Sequence, residues 1–397
     1  MANASRAVHP ALVTFALAMG AFAIGTTEFA AMSLLPYFAA DLRISEPTAG
    51  HAISAYALGV VAGAPLIAVL GARLPRRALL IGLMVMFAIG NLLSAISPNY
   101  SMMLLFRFLS GLPHGAYFGV AALVAASLVP SDRRASAVAR VMTGLTVATV
   151  IGVPVANWMG QVLGWRSGFG VVALLAVATI TLVALFAPRD AGDPDASPMR
   201  ELGALREPQV LLTLLTGAIG FGGLFAVYTY VASTMLTVTH VSAHWVPAIL
   251  AIFGVGMTIG NLVAASAADR AQSRTAIFVL LWSAAALALF PLAASQLWSL
   301  CVVIFLIGCG GGLGSVLQTR LMDVAGDAQT LAAAAHHSAF NIANALGPWL
   351  GGIAIASGHG LTSTGWIGSA LALAGLAVFL FALALQQRAL ALTIACE

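Results

Sequence analysis

Lysine is absent from this 397-residue chain, and charge of either sign is scarce. Charged residues make up 8% of the sequence and hydrophobic residues 61%, against roughly 25% charged in soluble domains. That balance excludes an ordinary water-soluble fold. The net charge of +4 rests on arginine alone, and no sustained basic patch with interleaved aromatics appears, which argues against a nucleic-acid partner. Cysteine is also sparse. Cys301, Cys309 and Cys396 lack metal-ligand spacing and read as small apolar thiols. There is no Walker loop, so ATP is not the expected energy source. The histidines offer no metal pair either: His336 and His337 are adjacent, and His240 and His244 sit at a loop edge. The glycine cluster Gly308 to Gly314 has no strand before it and reads as helix packing. Neither an enzyme nor a cofactor is expected.

What the chain does have is long apolar runs of the roughly 20 residues that cross a bilayer. They fall at 10–35, 48–70, 78–96, 101–128, 136–162 and 167–187, then 209–236, 245–267, 275–294, 298–319, 331–356 and 363–387. An all-α integral membrane protein of twelve transmembrane helices follows. Arginines crowd the termini and even-numbered connections: Arg6; Arg73, Arg76 and Arg77; Arg133, Arg134 and Arg140; Arg189, Arg200 and Arg206; Arg270 and Arg274; Arg320; Arg388. The odd connections hold only Arg43 and Arg166. This is the positive-inside pattern, and it predicts both termini in the cytoplasm. The run from Pro10 is too long for the core of a cleaved signal and reads as the first span. Trp158, Trp165, Trp245, Trp298 and Trp366 lie near span ends, where an aromatic belt is expected.

The one long polar stretch, 188–208, reads as a cytoplasmic linker between a first bundle, 1–187, and a second, 209–397. The halves carry a faint repeat. Ala72-Arg73-Leu74-Pro75-Arg76-Arg77 after span 2 is matched by Asp269-Arg270-Ala271-Gln272-Ser273-Arg274 after span 8, and Pro154 in span 5 by Pro348 in span 11. Two pseudo-symmetric six-helix bundles with a site between them near the midplane are therefore expected. Small residues recur at every fourth position: Gly144, Ala148, Gly152, Ala156 and Gly160; Gly256, Gly260, Ala264 and Ala268; Ala55, Gly59 and Gly63; Ala343, Gly347 and Gly351. Such rows allow close helix approach in lipid. They suit either static packing or the interface along which the halves rock, and the matching positions favour the second.

Only Glu28 and Arg107 are charged deep within the spans, where a charge costs several kcal/mol and usually marks an ion or substrate path. The expected depths match, so the two could pair. A carboxyl between a low-dielectric wall and a guanidinium feels opposed forces and suits exchange of its proton; a static salt bridge is the competing reading. His114 lies on the same face as Arg107, about 10 Å further in, and could carry protons or hydrogen-bond a polar substrate. His337, Asn341 and Asn344 align on one face of span 11, and amides supply both donors and acceptors. Interhelical bonding competes with ligand recognition there. Tyr56, Tyr228 and Tyr230 are candidates for an aromatic wall.

These residues resemble the major facilitator superfamily, in its drug:proton antiporter branch. The loop Ala72 to Arg77 is similar to a degraded copy of the superfamily's cytoplasmic motif, with Ala72 and Pro75 in place of the usual aspartate and glycine; the second half keeps Asp269 and Arg270. Arg107-x3-Gly111 is similar to the intramembrane arginine motif. Gly144 to Gly160, with Pro154, resembles the antiporter motif of helix 5, which marks exporters. Gly25-Thr26-Thr27-Glu28-Phe29, Pro113-His114-Gly115 and Ala339 to Gly347 are together similar to the bacterial arabinose and sugar efflux permease group, which includes chloramphenicol and nucleoside exporters. The resemblance implies a monomeric proton-coupled antiporter in the inner membrane, exchanging protons for a sugar, nucleoside or drug by alternating access. A proton-driven importer of the same fold, or a non-transporting receptor, is the alternative.

Overall fold

The computed structural model describes residues 9–71, 73–130, 133–192, 207–324 and 329–396. The expected linker therefore lies mostly outside the described residues, as do Arg6, Ala72, Arg200 and Arg206. The chain is helical: α1 (Pro10–Ser33), α2 (Glu46–Gly71), α3 (Arg76–Ala95), α4 (Tyr100–Ser127), α5 (Ser136–Leu163), α6 (Arg166–Phe186) and α7 (Pro208–Thr237) come first. A 48-residue stretch, Val246–Ala293, is bent at Ala271 (φ −155°, ψ 67°) and supplies two crossings, α8 (246–270) and α9 (272–293). Leu297–Val324 forms α10, Gln329–Ala354 α11 and Ser363–Cys396 α12. Twelve crossings place both described ends on one side of the membrane, here the near side.

Local signals account for the boundaries. Pro10 and Pro208 open α1 and α7, and proline follows the start of α8, where a missing N–H costs nothing. The Asn99 side chain caps α4 by accepting from Met102 N at 3.0 Å. Gly164 (φ +86°) ends α5. Pro154 has no N–H and its ring crowds the preceding turn; a π-helical turn at Ala148–Gly152 absorbs the mismatch.

Two boundaries differ from the sequence expectation. The polar run 269–274 holds a shorter connection than expected: α8 and α9 meet at a single non-helical residue, Ala271, and the flanking charged residues lie on the two helix ends. The polar stretch after α6 begins as packed structure. The Asp190 carboxylate accepts from the backbone N–H of Arg76 (2.7 Å) and Arg77 (3.3 Å), capping α3 from 114 positions away. Gly192 (φ +78°) lies so close to the α2–α3 connection that a Cβ there would sit 2.4 Å from Arg73 O. Arg77 in turn donates to Ala184 O. Residues 188–192 thus pack with the first six helices.

The four rows of small residues are corrected more sharply. A Cβ on Gly144 would lie 2.1 Å from Ala18 O, and one on Gly59 2.1 Å from Phe108 O. In the second half, a Cβ on Gly347 would lie 2.3 Å from Gly222 O, and one on Gly260 2.1 Å from Cys309 O. The rows therefore join α5 to α1, α4 to α2, α11 to α7 and α10 to α8. Every pair lies inside one bundle, and the two sets correspond under the shift of six helices. These rows are seams inside each bundle, where backbone packs on backbone, and their glycines do not face the other half. Exposed side chains such as Leu70, Leu174, Leu262 and Leu292 form the lipid-facing surface. Trp158, Trp245, Trp298 and Trp366 are exposed near span ends as expected, but Trp165 is buried, donating to Asp41 Oδ2 at 3.0 Å.

Candidate substrate and proton site

Between the midplane and the far side, α1 and α4 bring the two deep charges into one buried polar core. Glu28 is 3% exposed and Arg107 is fully buried. They do not form a contact ion pair. The Glu28 carboxylate (Oε1) instead accepts from Asn344 Nδ2 at 2.9 Å, a bond that crosses from the first half to the second. Arg107 Nη1 donates to Thr27 Oγ1 at 3.3 Å, and its guanidinium lies 4.2 Å from the Tyr56 ring centroid and 5.3 Å from that of Phe169. Thr27 donates onward to Asn91 Oδ1 at 2.6 Å, and Asn91 Nδ2 is tied to Phe87 O. The expected pairing fails because neighbouring side chains hold each partner elsewhere.

Tyr56 lies between two other polar residues of the first half. Its ring lies against Arg107 and its hydroxyl lies 2.9 Å from His114 Nδ1. His114 packs on Phe118 (centroids 5.2 Å apart), and Phe118 stacks across the divide on His337 (5.1 Å, 4° between planes). His114 is thereby joined to Arg107 through one tyrosine. On α11, Asn341 Nδ2 is taken by His337 O of its own helix at 2.9 Å. The carbonyl oxygens of Asn341 and Asn344, and Nε and Nη2 of Arg107, have no partner although buried. Buried polar groups normally are paired, so these atoms are available to a polar ligand. Tyr228 belongs to an aromatic cluster with Phe29, one residue from Glu28, and Phe253 (5.4 and 4.2 Å); its hydroxyl is buried without a partner.

Tyr230 is placed differently from Tyr228. Its hydroxyl donates to Pro348 O at 2.9 Å and lies where Cβ atoms on Gly50 or Gly352 would sit, 2.3 and 2.8 Å away. It belongs to the far-side contact between the halves rather than to a ligand wall. Gln161 Nε2, donating to Ala243 O at 2.8 Å, closes the same side, and Ser54 Oγ to Ala345 O at 2.9 Å joins α2 to α11. Thr27 lies in the stretch that carries the family resemblance, and Asn91 is a polar amide within a span, a signal missed in the sequence; Phe169 and Phe118 carry no signal beyond aromatic character. Only the helix packing shows what they touch.

A fold of two related six-helix bundles, with a buried acid and arginine at their junction, invites comparison with known carriers. The sequence model of the Major Facilitator Superfamily matches residues 17–246 and 227–391. The chain belongs to that superfamily. It is 42% identical, over 92% of its own length and 94% of the other, to the "Inner membrane transport protein YdhP" of Escherichia coli (strain K12). It is 34% identical to the "Chloramphenicol resistance protein" of Streptomyces lividans, covering 85% and 87% of the two chains. Among solved structures, a bacterial homologue of the human lysosomal transporter Spinster superposes with a TM-score of 0.73 at 14% identity, over 94% of this chain and 96% of that one; this likeness concerns fold. The protein is a multi-pass membrane transporter of this superfamily and not an enzyme.

Proposed function

We propose that this chain is a proton-coupled exporter of the inner membrane, with both termini cytoplasmic, moving a small polar or amphiphilic compound by alternating access. The observation that carries the reading is the Glu28–Asn344 bond. A carboxylate in one half accepts from an amide in the other, so its protonation state bears directly on how the halves are held. An ionised Glu28 makes the stronger bond, because charge-assisted hydrogen bonds are roughly twice as strong as neutral ones. Protonation weakens this tie. A substrate hydroxyl or amide that occupies Asn344 severs it as well. Two events that each release the same contact, one by a proton and one by a ligand, suit exchange of one for the other.

Efflux is supported by the likeness of Gly144 to Gly160 to the helix-5 motif that marks exporters, and by the relative named for chloramphenicol resistance. The unpartnered amide oxygens and guanidinium hydrogens suit a neutral compound with both donors and acceptors, such as a sugar, nucleoside or amide-bearing drug. The test is uptake into inverted membrane vesicles driven by a pH gradient, with arabinose, chloramphenicol and nucleosides as first compounds. Glu28→Gln should reduce gradient-driven uptake to that of vesicles lacking the protein while leaving insertion intact. Wild-type uptake by a folded Gln variant would remove Glu28 from the mechanism.

A further inference from the structure

An acid and an arginine buried in one low-dielectric core attract each other strongly, yet Glu28 and Arg107 stand apart. The guanidinium is held in three ways. Its Nη1 is on Thr27, the residue next to Glu28; one face lies 4.2 Å from the Tyr56 ring; Phe169 is 5.3 Å away. Of the two rings, Tyr56 is the nearer, and a desolvated cation over an aromatic face gains appreciably from the ring quadrupole. Tyr56 is itself fixed, being 1% exposed with its hydroxyl on His114. The groups that act on Glu28 are Asn344 from α11, hydrogen-bonded to its carboxylate, and Arg107 from α4; Tyr56 from α2 reaches it only through Arg107.

We propose that Tyr56 is a positioning residue whose ring restrains Arg107 from collapsing onto Glu28, so that the carboxylate stays free for Asn344 and for a proton. This rests on the reading of Glu28 as the proton carrier and adds to it. With the ring gone, the guanidinium has lost its nearest aromatic face and the carboxylate is its strongest alternative partner. A contact ion pair would hold Glu28 ionised and release Asn344. The ring and the hydroxyl then have separable roles: the ring guards the acid, and the hydroxyl holds His114.

The experiment is infrared difference spectroscopy of the purified, lipid-reconstituted full chain across a pH series. The carbonyl stretch of protonated Glu28 is identified as the band missing in Glu28→Gln. Tyr56→Phe keeps the ring and should keep the band. Tyr56→Leu and Tyr56→Met, either of which serves if the other misfolds, should lose it throughout the pH range in which the wild type shows it. The double variant Tyr56→Leu/Arg107→Gln, lacking the cation that collapses, should regain it. Retention of the band in the ring-less variants with wild-type pH dependence overturns the proposal, as does its loss in Tyr56→Phe. A band missing from the double variant also overturns it, since the loss then does not act through Arg107. A wild type with no protonated Glu28 band at any pH defeats the proton-carrier reading itself, an outcome distinct from the failure of the Tyr56 arm.

Discussion

The two halves repeat one scaffold and diverge in chemistry. Their close helix seams correspond pair by pair: α1 with α5 and α7 with α11, α2 with α4 and α8 with α10. Their buried polar residues near the divide do not. The first half contributes a carboxylate and a guanidinium, Glu28 and Arg107, beside the imidazole of His114; the second meets Glu28 with the neutral amide of Asn344 and adds the buried Asn341 and the imidazole of His337, which stacks on Phe118. The architecture is symmetric and the proton site is not. Packing of backbone on backbone tolerates only small residues and so preserves the repeat, whereas a single titratable tie suffices to couple the halves.

The comparison predicts unequal effects for the two partners of that tie. Glu28→Gln should abolish proton-driven transport, because the group that binds the proton is gone. Asn344→Ala removes the cross-divide bond but leaves the carboxyl. A hydrogen bond to a charged group is worth about 1.5–3 kcal/mol, so transport at a fixed gradient should fall by roughly tenfold or more while some pH dependence survives. Vesicle uptake with both variants checks this. Equal and complete loss in both would mean that the amide is as essential as the acid and that the chemistry is shared by the halves.

Next in size are the seams. Gly144→Ala and Gly347→Ala lie on corresponding seams, α5 on α1 and α11 on α7, with Cβ atoms 2.1 and 2.3 Å from backbone oxygens. Overpacking of this kind typically costs about 1–3 kcal/mol, and the two should lower the unfolding temperature in mild detergent by similar amounts. Gly82→Ala, with nothing within 4 Å of its Cβ, should not destabilise. A large difference between Gly144 and Gly347 would show that the seams are equivalent in position only.

Much of the scaffold was legible, for physical reasons. Apolar runs of bilayer length are a direct demand of the membrane, and they placed the starts of the twelve crossings within a few residues, while α12 continues nine residues past its expected end. What escaped notice depends on contacts distant in sequence. A four-residue spacing shows that one helix face is closely packed but not against which neighbour, so the seams were assigned to the wrong interface. Asp269, Arg270 and Arg274 read as loop because charge is costly in lipid, yet nothing in that run forbids a helix and Ala271 alone bends. Glu28, Arg107, His114 and Asn344 stood out because polar groups are rare in such spans. Their partners are less legible: the span amide Asn91 could have been found by the same rarity, but Phe169 looks like an ordinary helix residue, and Asp190 caps a helix 114 positions earlier.

Smaller again is the effect expected at the far-side contact between the halves. Gly50→Ala places a methyl carbon 2.3 Å from the Tyr230 hydroxyl, which Pro348 O holds in place. Because these groups belong to opposite halves, the strain is relieved by parting them rather than by unfolding. Far-side distances between spin labels on α2 and α7 should lengthen, with thermal stability little changed. A fall in stability like that of Gly144→Ala, with no lengthening, would make this contact another rigid seam.

The smallest effect is expected where the first half has charge outside the membrane core. Asp41 accepts from Arg166 and from Trp165 Nε1, and Arg166 Nη2 also donates to Ser97 O. The Arg166 and Trp165 hydrogen bonds hold the Asp41 carboxyl below the usual carboxylate range. A lowered value in the folded state means that stability is gained above the unfolded value and lost as pH falls through the folded one. Both side chains are nearly half exposed, at 44% and 47%, so screening limits the pair to the about 0.2–1 kcal/mol usual for surface ion pairs. Asp41→Asn should therefore lower the unfolding temperature slightly at neutral pH and low salt. The difference should shrink in high salt and disappear in acid, where the wild-type carboxyl is protonated too. A deficit that persists unchanged in acid would assign the role of Asp41 to its geometry with Trp165 rather than to its charge.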